Sequence, residues 1–112
     1  MDEKGIVGRK DLEAIKNKIE LFRQRLDADG IEGARLILFG SWASGKQQEL
    51  SDIDLCVVSD KFSGNTFVDS TRLRLMTIGI DDLLEPVAMR PEDFENKYNS
   101  LASEVKKWGI AV

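Results

Sequence analysis

The residues best suited to chemistry cluster in one stretch of the sequence, between Leu36 and Val58. Gly40-Ser41 follows a short apolar run, and Asp52-Ile53-Asp54 opens a second apolar run after ten intervening residues. Glycine lets a backbone approach a phosphate, the serine hydroxyl can donate to it, and N–H groups at a helix start face an anion. Two carboxylates roughly 6.5 Å apart on one strand face can bridge magnesium ions. Together these features predict phosphoryl chemistry on a nucleoside triphosphate.

The spacing of the two aspartates is not informative without its context. Asp27-Ala28-Asp29 has the same spacing, but it lies at a predicted helix end before Gly30, where we expect turn and solvation roles. Asp52 and Asp54 instead head an apolar strand, where carboxylates are costly unless they bind a metal or hydrogen-bond donors. We therefore assign the site to Asp52 and Asp54.

Composition narrows the function classes. The chain has 112 residues, a net charge of -4, no histidine and one cysteine. Residues 1–112 are expected to form a single domain, and the acidic balance argues against general nucleic-acid binding. Without histidine, a metal would be held by oxygen ligands, which favours magnesium, manganese or calcium. The lone Cys56, the lack of a long apolar run and the lack of a secretory leader predict a cytoplasmic protein without a membrane segment.

The elements that must position these residues alternate between helix and strand. Periodicity and turn residues predict helices at Asp11–Asp27, at Phe67–Ile78 and from Arg90 onward. Strands are predicted at Arg35–Phe39, Ile53–Val58 and Leu83–Met89, and one short helical turn is predicted within Ser41–Lys46. This order indicates an α/β or α+β sandwich with one small sheet.

The same patterns predict which side chains face inward. In the first helix the inward residues are Leu12, Ile15, Ile19, Phe22 and Leu26. In the helix after Thr66 they are Val68, Leu75 and Ile78, and Arg72 and Arg74 are expected on the surface. In the last helix they are Phe94, Tyr98, Leu101, Val105 and Trp108. Pro86 predicts an edge position or an irregularity in the third strand. Cys56 is expected in the core, and the apolar ending from Trp108 to Val112 is a candidate docking surface.

The motif Gly40-Ser41, ten residues, Asp52-Ile53-Asp54 resembles the signature of the DNA polymerase β-like nucleotidyltransferase superfamily, and the short chain resembles its minimal nucleotidyltransferase branch. The resemblance covers about residues 11–100. It implies a mixed three- or four-stranded sheet flanked by helices and transfer of a nucleoside monophosphate with release of pyrophosphate. By the same resemblance, Gly40 and Ser41 would bind the β- and γ-phosphates, and Asp52 and Asp54 would hold two Mg²⁺ ions.

The superfamily also uses a third carboxylate on the following strand, and Glu85 in Leu84-Glu85-Pro86 matches that place in some minimal members. It would bind the catalytic metal and accept the proton of the attacking hydroxyl. Asp81 and Asp82 are alternatives, for which a solvated turn is expected. Where relatives carry arginine after Gly-Ser this chain has Trp42 and Ser44, which leaves Lys46, and then Lys61, as cations for the triphosphate. Trp42 is expected to pack on the sheet edge, with stacking on a ligand as the alternative.

The resemblance also suggests an acceptor. Minimal nucleotidyltransferases commonly pair with a small helical partner of the HEPN type, so the leading hypothesis is an antitoxin that transfers AMP from ATP to a hydroxyl of that protein. One alternative is an antitoxin of weak or no catalytic activity that acts by binding its partner. Another is a transferase for a small-molecule hydroxyl, such as that of an aminoglycoside. Assembly of this chain into a homo-oligomer is also compatible with the sequence.

Overall fold

The computed structural model describes residues 9–48 and 50–112, which form five helices and four strands. In chain order these are α1 (Arg9–Ala28), β1 (Arg35–Phe39), α2 (Ser41–Ser44), β2 (Ile53–Val58), α3 (Thr66–Leu75), β3 (Leu84–Met89), α4 (Pro91–Phe94), α5 (Ser100–Trp108) and β4 (Ile110–Ala111). The predicted alternation of helix and strand is confirmed, and the bounds of β1 and β2 agree with those predicted from the sequence.

The four strands form one mixed sheet in the order β3-β2-β1-β4. β1 pairs antiparallel with β2 and β4, whereas β2 and β3 run parallel. β3 is an edge strand, as Pro86 predicts, and α3 runs beside it: the Ala88 N–H donates to Ser70 Oγ at 3.0 Å. This contact satisfies an edge donor that would otherwise face outward.

Alternation along the strands gives the sheet two apolar faces. One face packs against α1 and α3, and includes Leu36, Leu38, Ile53, Leu55 and Val57 from the two central strands. The other face packs against α4 and α5, and includes Ile37, Phe39, Cys56 and Val58. Cys56 is therefore a buried core residue, as expected, and β2 is covered on both sides.

The apolar stripe of α1 covers the first of these faces. Ile15, Ile19, Phe22 and Leu26 are buried, and Leu12 packs against the same cluster. Their spacing of three and four residues places them on one side of the helix. No helix among residues 9–48 and 50–112 is long and apolar enough to cross a bilayer.

The predicted inward face of α3 is wrong. Val68, Leu75 and Ile78 are 54%, 63% and 65% exposed, and the buried residues of the helix are Asp69 and Leu73. The reason is local: the Asp69 carboxylate turns inward and accepts hydrogen bonds from the preceding loop, from the N–H and hydroxyl of Ser63 and the N–H of Gly64. Since residues four apart share a helix face, Leu73 follows Asp69 into the core.

The predicted last helix is two helices. α4 ends at Phe94, and α5 begins after Asn99, whose side chain accepts the Ala102 N–H at 3.0 Å. The break resets the helical register, so Phe94 and Val105 are buried while Tyr98 and Trp108 are 84% and 60% exposed. Sequence periodicity assumed a continuous helix and placed those two aromatics wrongly.

The chain end adds a fourth strand rather than a free docking segment. Ile110 and Ala111 pair with Leu38 and Ile37 of β1. Gly109 permits the approach, because a Cβ at this position would lie 2.4 Å from the Val105 carbonyl oxygen and 2.5 Å from Ile37 Cγ2. The expected mixed sheet of three or four strands flanked by helices is confirmed, with four strands.

Candidate functional site

The loop after β1 begins with a glycine-dependent turn. Gly40 has φ 73° and ψ -149°, a region that is essentially restricted to glycine, and it starts the single helical turn α2. Ala43 and Ser44 donate their N–H groups to the Gly40 carbonyl, and Lys46 donates to that of Ser41. The N–H groups of Ser41 and Trp42, at the start of the turn, have no acceptor within it. The short helical turn expected after Gly40 is therefore present, and phosphate binding by it stays a prediction.

Gly40 also makes room for a carboxylate. A Cβ added at Gly40 would lie 2.2 Å from Asp54 Oδ2 and 3.1 Å from Asp54 Cγ. The two residues meet because β1 and β2 are antiparallel and Phe39 pairs with Asp54, so the end of one strand adjoins the start of the other. The sequence explained Gly40 by its approach to a phosphate; the structure adds that its missing side chain accommodates the Asp54 carboxylate.

Asp52 and Asp54 lie on either side of the start of β2. Asp52 precedes the strand and is exposed, whereas Asp54 is partly buried on the face covered by α4 and α5. Ile53 points to the opposite face, with 2% exposure, and its N–H donates to the Leu83 carbonyl at 2.7 Å. Just upstream, the Ser51 hydroxyl accepts the Gln48 N–H at 2.6 Å.

Glu85 is the direct neighbour of Asp54 in the parallel register of β2 and β3. Paired residues of adjacent strands project to the same face, so both carboxylates belong to one side of the sheet. The Glu85 carboxylate accepts a hydrogen bond from the Arg74 guanidinium of α3 and forms an ion pair with it. Of the alternatives, Asp81 instead pairs with Lys18 and accepts the Leu83 N–H. Asp81 is therefore a structural residue rather than a solvated one.

The electrostatics of the site concentrate on Asp54. Burial raises the pKa of Asp54, and the negative charges of Asp52, Glu85 and Glu104 raise it further. Glu85 lies on β3 and Glu104 on α5, so the negative charge around Asp54 comes from a flanking helix as well as from the sheet. A carboxyl surrounded by like charges favours a cation or a proton nearby.

The donor chemistry of this site fits a divalent metal. Its groups are carboxylate oxygens, which magnesium prefers, and the mutual repulsion felt by Asp54 would be relieved by a cation. Within the part of the chain that the structure describes, however, no three acidic, cysteine or histidine side chains converge as metal ligands. Asp52 and Asp54 are the carboxylates that would hold a metal, and Glu85 would join them only by leaving Arg74.

A comparison with family models supports this assignment of the fold and chemistry. Residues 15–108 match the model described as a nucleotidyltransferase domain. The chain belongs to the nucleotidyltransferase domain family. The match spans β1, the Gly-Ser turn, β2 and β3, and therefore includes every residue of the candidate site. A search of curated proteins found no match.

Members of the nucleotidyltransferase family typically use a nucleoside triphosphate and a divalent metal. In this nucleotidyltransferase domain, Lys46 lies exposed just after α2, and Lys61 is exposed in the loop after β2. Their roles toward the triphosphate, like those of Gly40 and Ser41, stay predictions. Trp42 packs against the α1 side of the core, which supports the packing role, and its Nε1 is buried without a partner among the described residues.

Two contributors to the site were not predicted from the sequence. Arg74 was expected only on the helix surface; it is exposed, but it also pairs with Glu85. Glu104 carries no motif and acts on Asp54 only because α5 packs against that face of the sheet. Of the two aspartates before Gly30, Asp27 is exposed as expected, whereas Asp29 forms an ion pair with Arg72 at 2.7 Å and so links α1 to α3 rather than being only solvated.

Proposed function

We propose that this nucleotidyltransferase transfers AMP from ATP, with Mg²⁺, to a hydroxyl of a partner protein, and that it acts as the antitoxin of a small helical HEPN-type toxin. The observation that carries the transferase chemistry is the juxtaposition of Gly40, Asp54 and Glu85 at adjoining strand ends. The membership in the nucleotidyltransferase family supports it.

The reaction assigns a role to each residue. The acceptor oxygen bonds to the α-phosphorus of ATP while the bond to the bridging oxygen breaks, and pyrophosphate leaves. The bound metal would neutralise charge on the triphosphate and the leaving group. Asp52 and Asp54 would hold the cation, joined by Glu85 once it leaves Arg74. Glu85 would also take the proton of the acceptor hydroxyl, and the turn at Gly40-Ser41 would hold the terminal phosphates.

A protein acceptor is supported by exposed apolar side chains on the helix beside the site. We define the α3 surface as Phe67, Val68, Leu75 and Ile78, which belong to α3 and the turn after it and whose exposed fractions lie between 54% and 80%. Large exposed apolar groups on one element are typical of protein interaction sites. The helix also carries Arg74, which contacts Glu85, so a protein docked on this surface would lie next to the reacting groups.

The charge of α3 indicates what kind of partner would fit. Its only acidic residue, Asp69, is buried, so its exposed charges are those of Arg72 and Arg74. Both arginines are paired, Arg72 with Asp29 and Arg74 with Glu85, so this face offers exposed apolar groups and little free charge. A partner with a complementary apolar face would fit it.

An antitoxin that acts by binding alone is the second candidate. It is favoured by the pairing of Glu85 with Arg74, which leaves the described residues without three convergent carboxylates. The α3 surface would serve such a module as well as it would serve an enzyme.

The test incubates the protein with ATP labelled at the α-phosphate, magnesium and the protein encoded by the neighbouring gene. Label is expected on the partner with the wild type, and none with Asp54→Asn. Asp27→Asn is the matched control: Asp27 and Asp29 have the same spacing as Asp52 and Asp54, but Asp27 is exposed at the end of α1. Neutralisation without labelling, retained in Asp54→Asn, would support the binding module. Label on an aminoglycoside without any partner would support the small-molecule alternative.

A further inference from the structure

We infer that Arg74 and a divalent cation compete for the Glu85 carboxylate, so that Arg74 sets the metal affinity of the site. This inference rests on the proposed metal site at Asp52 and Asp54. It goes beyond that site because it assigns a role to a residue of α3 that lies outside the motif.

The position of Arg74 is built into the sheet edge. Ser70 Oγ accepts the Ala88 N–H at 3.0 Å and so attaches α3 to β3. Arg74 follows Ser70 by four residues and therefore lies on the same helix face, which directs its guanidinium to Glu85 on the same strand. The contact that covers the edge strand thus also places a cation at the third carboxylate.

Arg74 is the cation that this cluster contacts directly. Among residues 9–48 and 50–112, none of Asp52, Asp54 and Glu104 has an ion-pair partner, whereas Glu85 has Arg74. A guanidinium and a metal ion both need the same carboxylate oxygens, and a carboxylate that accepts a charge-assisted hydrogen bond is less available as a ligand. The two cations therefore oppose each other at Glu85.

The Arg74–Glu85 ion pair is accessible to solvent, so a metal ion can replace Arg74 at the carboxylate. The Arg74 side chain is 62% exposed and that of Glu85 is 32% exposed. Solvent-exposed ion pairs contribute little, because water screens them and both side chains lose rotamer freedom. Removing Arg74 is therefore expected to tighten metal binding by up to about fivefold, which corresponds to about 1 kcal/mol.

Calorimetric titration with Mn²⁺ tests the inference without requiring an acceptor. Arg74→Ala is expected to bind Mn²⁺ up to about fivefold more tightly than the wild type, Glu85→Gln more weakly, and the double variant no more tightly than Glu85→Gln. Arg72→Ala is the matched control: Arg72 lies on the same helix and its side chain is 42% exposed, but it pairs with Asp29. Its removal measures the long-range effect of losing one positive charge.

The outcomes separate the two proposals. If Arg74→Ala binds Mn²⁺ no more tightly than Arg72→Ala, or if tightening persists without Glu85, the competition is refuted while the metal site stands. If Asp54→Asn binds Mn²⁺ as the wild type does, or if the wild type binds none, both the metal site and this inference fail. Arg74→Lys keeps the positive charge but loses the paired N–H donors of the guanidinium, so it should tighten Mn²⁺ binding less than Arg74→Ala does. Circular dichroism checks that each variant is folded.

Discussion

Replacing Gly40 by alanine should destabilise the fold through two separate effects. The backbone at φ 73° and ψ -149° is strained for any residue with a Cβ, at a cost of about 1–3 kcal/mol. The added Cβ would also lie 2.2 Å from Asp54 Oδ2, and relief of such a clash in a packed site costs about 1–3 kcal/mol. We expect a total loss of about 2–6 kcal/mol, or a fall in Tm of roughly 10 °C or more.

The assay is urea unfolding followed by far-UV circular dichroism, because Trp42 adjoins the mutation and would distort a fluorescence signal. Gly33→Ala is the control for the backbone effect alone: Gly33 has φ 74°, and a Cβ there meets no heavy atom within 4 Å. In an Asp54→Ala background, the cost of Gly40→Ala should fall by about 0.5–3 kcal/mol. Equal losses for Gly40→Ala and Gly33→Ala would refute the close packing of Gly40 against Asp54.

Three further predictions address the site and the packing around it. Because burial and the negative charges of Asp52, Glu85 and Glu104 raise the pKa of Asp54, the folded state binds its proton more tightly than the unfolded state does. The contribution of Asp54 to stability should therefore decline as pH rises from 3.8 through the raised pKa, so the difference in unfolding free energy between the wild type and Asp54→Asn should change over that pH range; a difference independent of pH would contradict the raised pKa. Burial raises the pKa of the Cys56 thiol to about 11, so Ellman's reagent at pH 8 should react with it only after unfolding in urea, and rapid reaction of the native protein would place the thiol outside the core. Leu73→Ala should cost about 2–5 kcal/mol of unfolding free energy and Leu75→Ala less than about 0.5 kcal/mol, whereas the reverse order would show that α3 faces the other way.

Local signals in the sequence were sufficient for the elements that carry the motif. β1 is a short apolar run that ends before Gly40, and β2 is one that begins after Asp52. The buried apolar stripe of α1 follows from the helical spacing of its residues. The sandwich with one small sheet follows from the order of the elements, whereas the mixed strand directions were implied by the family resemblance. These features depend on residues near each other in the chain, so periodicity and turn chemistry can report them.

Side-chain hydrogen bonds decided what hydrophobic periodicity could not. The orientation of α3 depends on the donors that the Asp69 carboxylate finds in the preceding loop, and the break before α5 depends on the cap at Asn99. A hydrophobic pattern treats Asp69 as a surface residue and does not detect a cap, so both faces were predicted wrongly. The solvated turn expected of Asp81 was wrong for a different reason, because its partner Lys18 is 63 residues away in the sequence.

The sequence by itself determined the chemistry available to this protein: a glycine-serine turn, two aspartates at the head of a strand and a glutamate on the next, in a nucleotidyltransferase domain. Only the tertiary structure decided how those groups meet. The antiparallel pairing of β1 and β2 brings Gly40 against Asp54, and the parallel register of β2 and β3 sets Glu85 beside it. The packing of α3 and α5 then adds Arg74 and Glu104, because charges act through space and not along the chain.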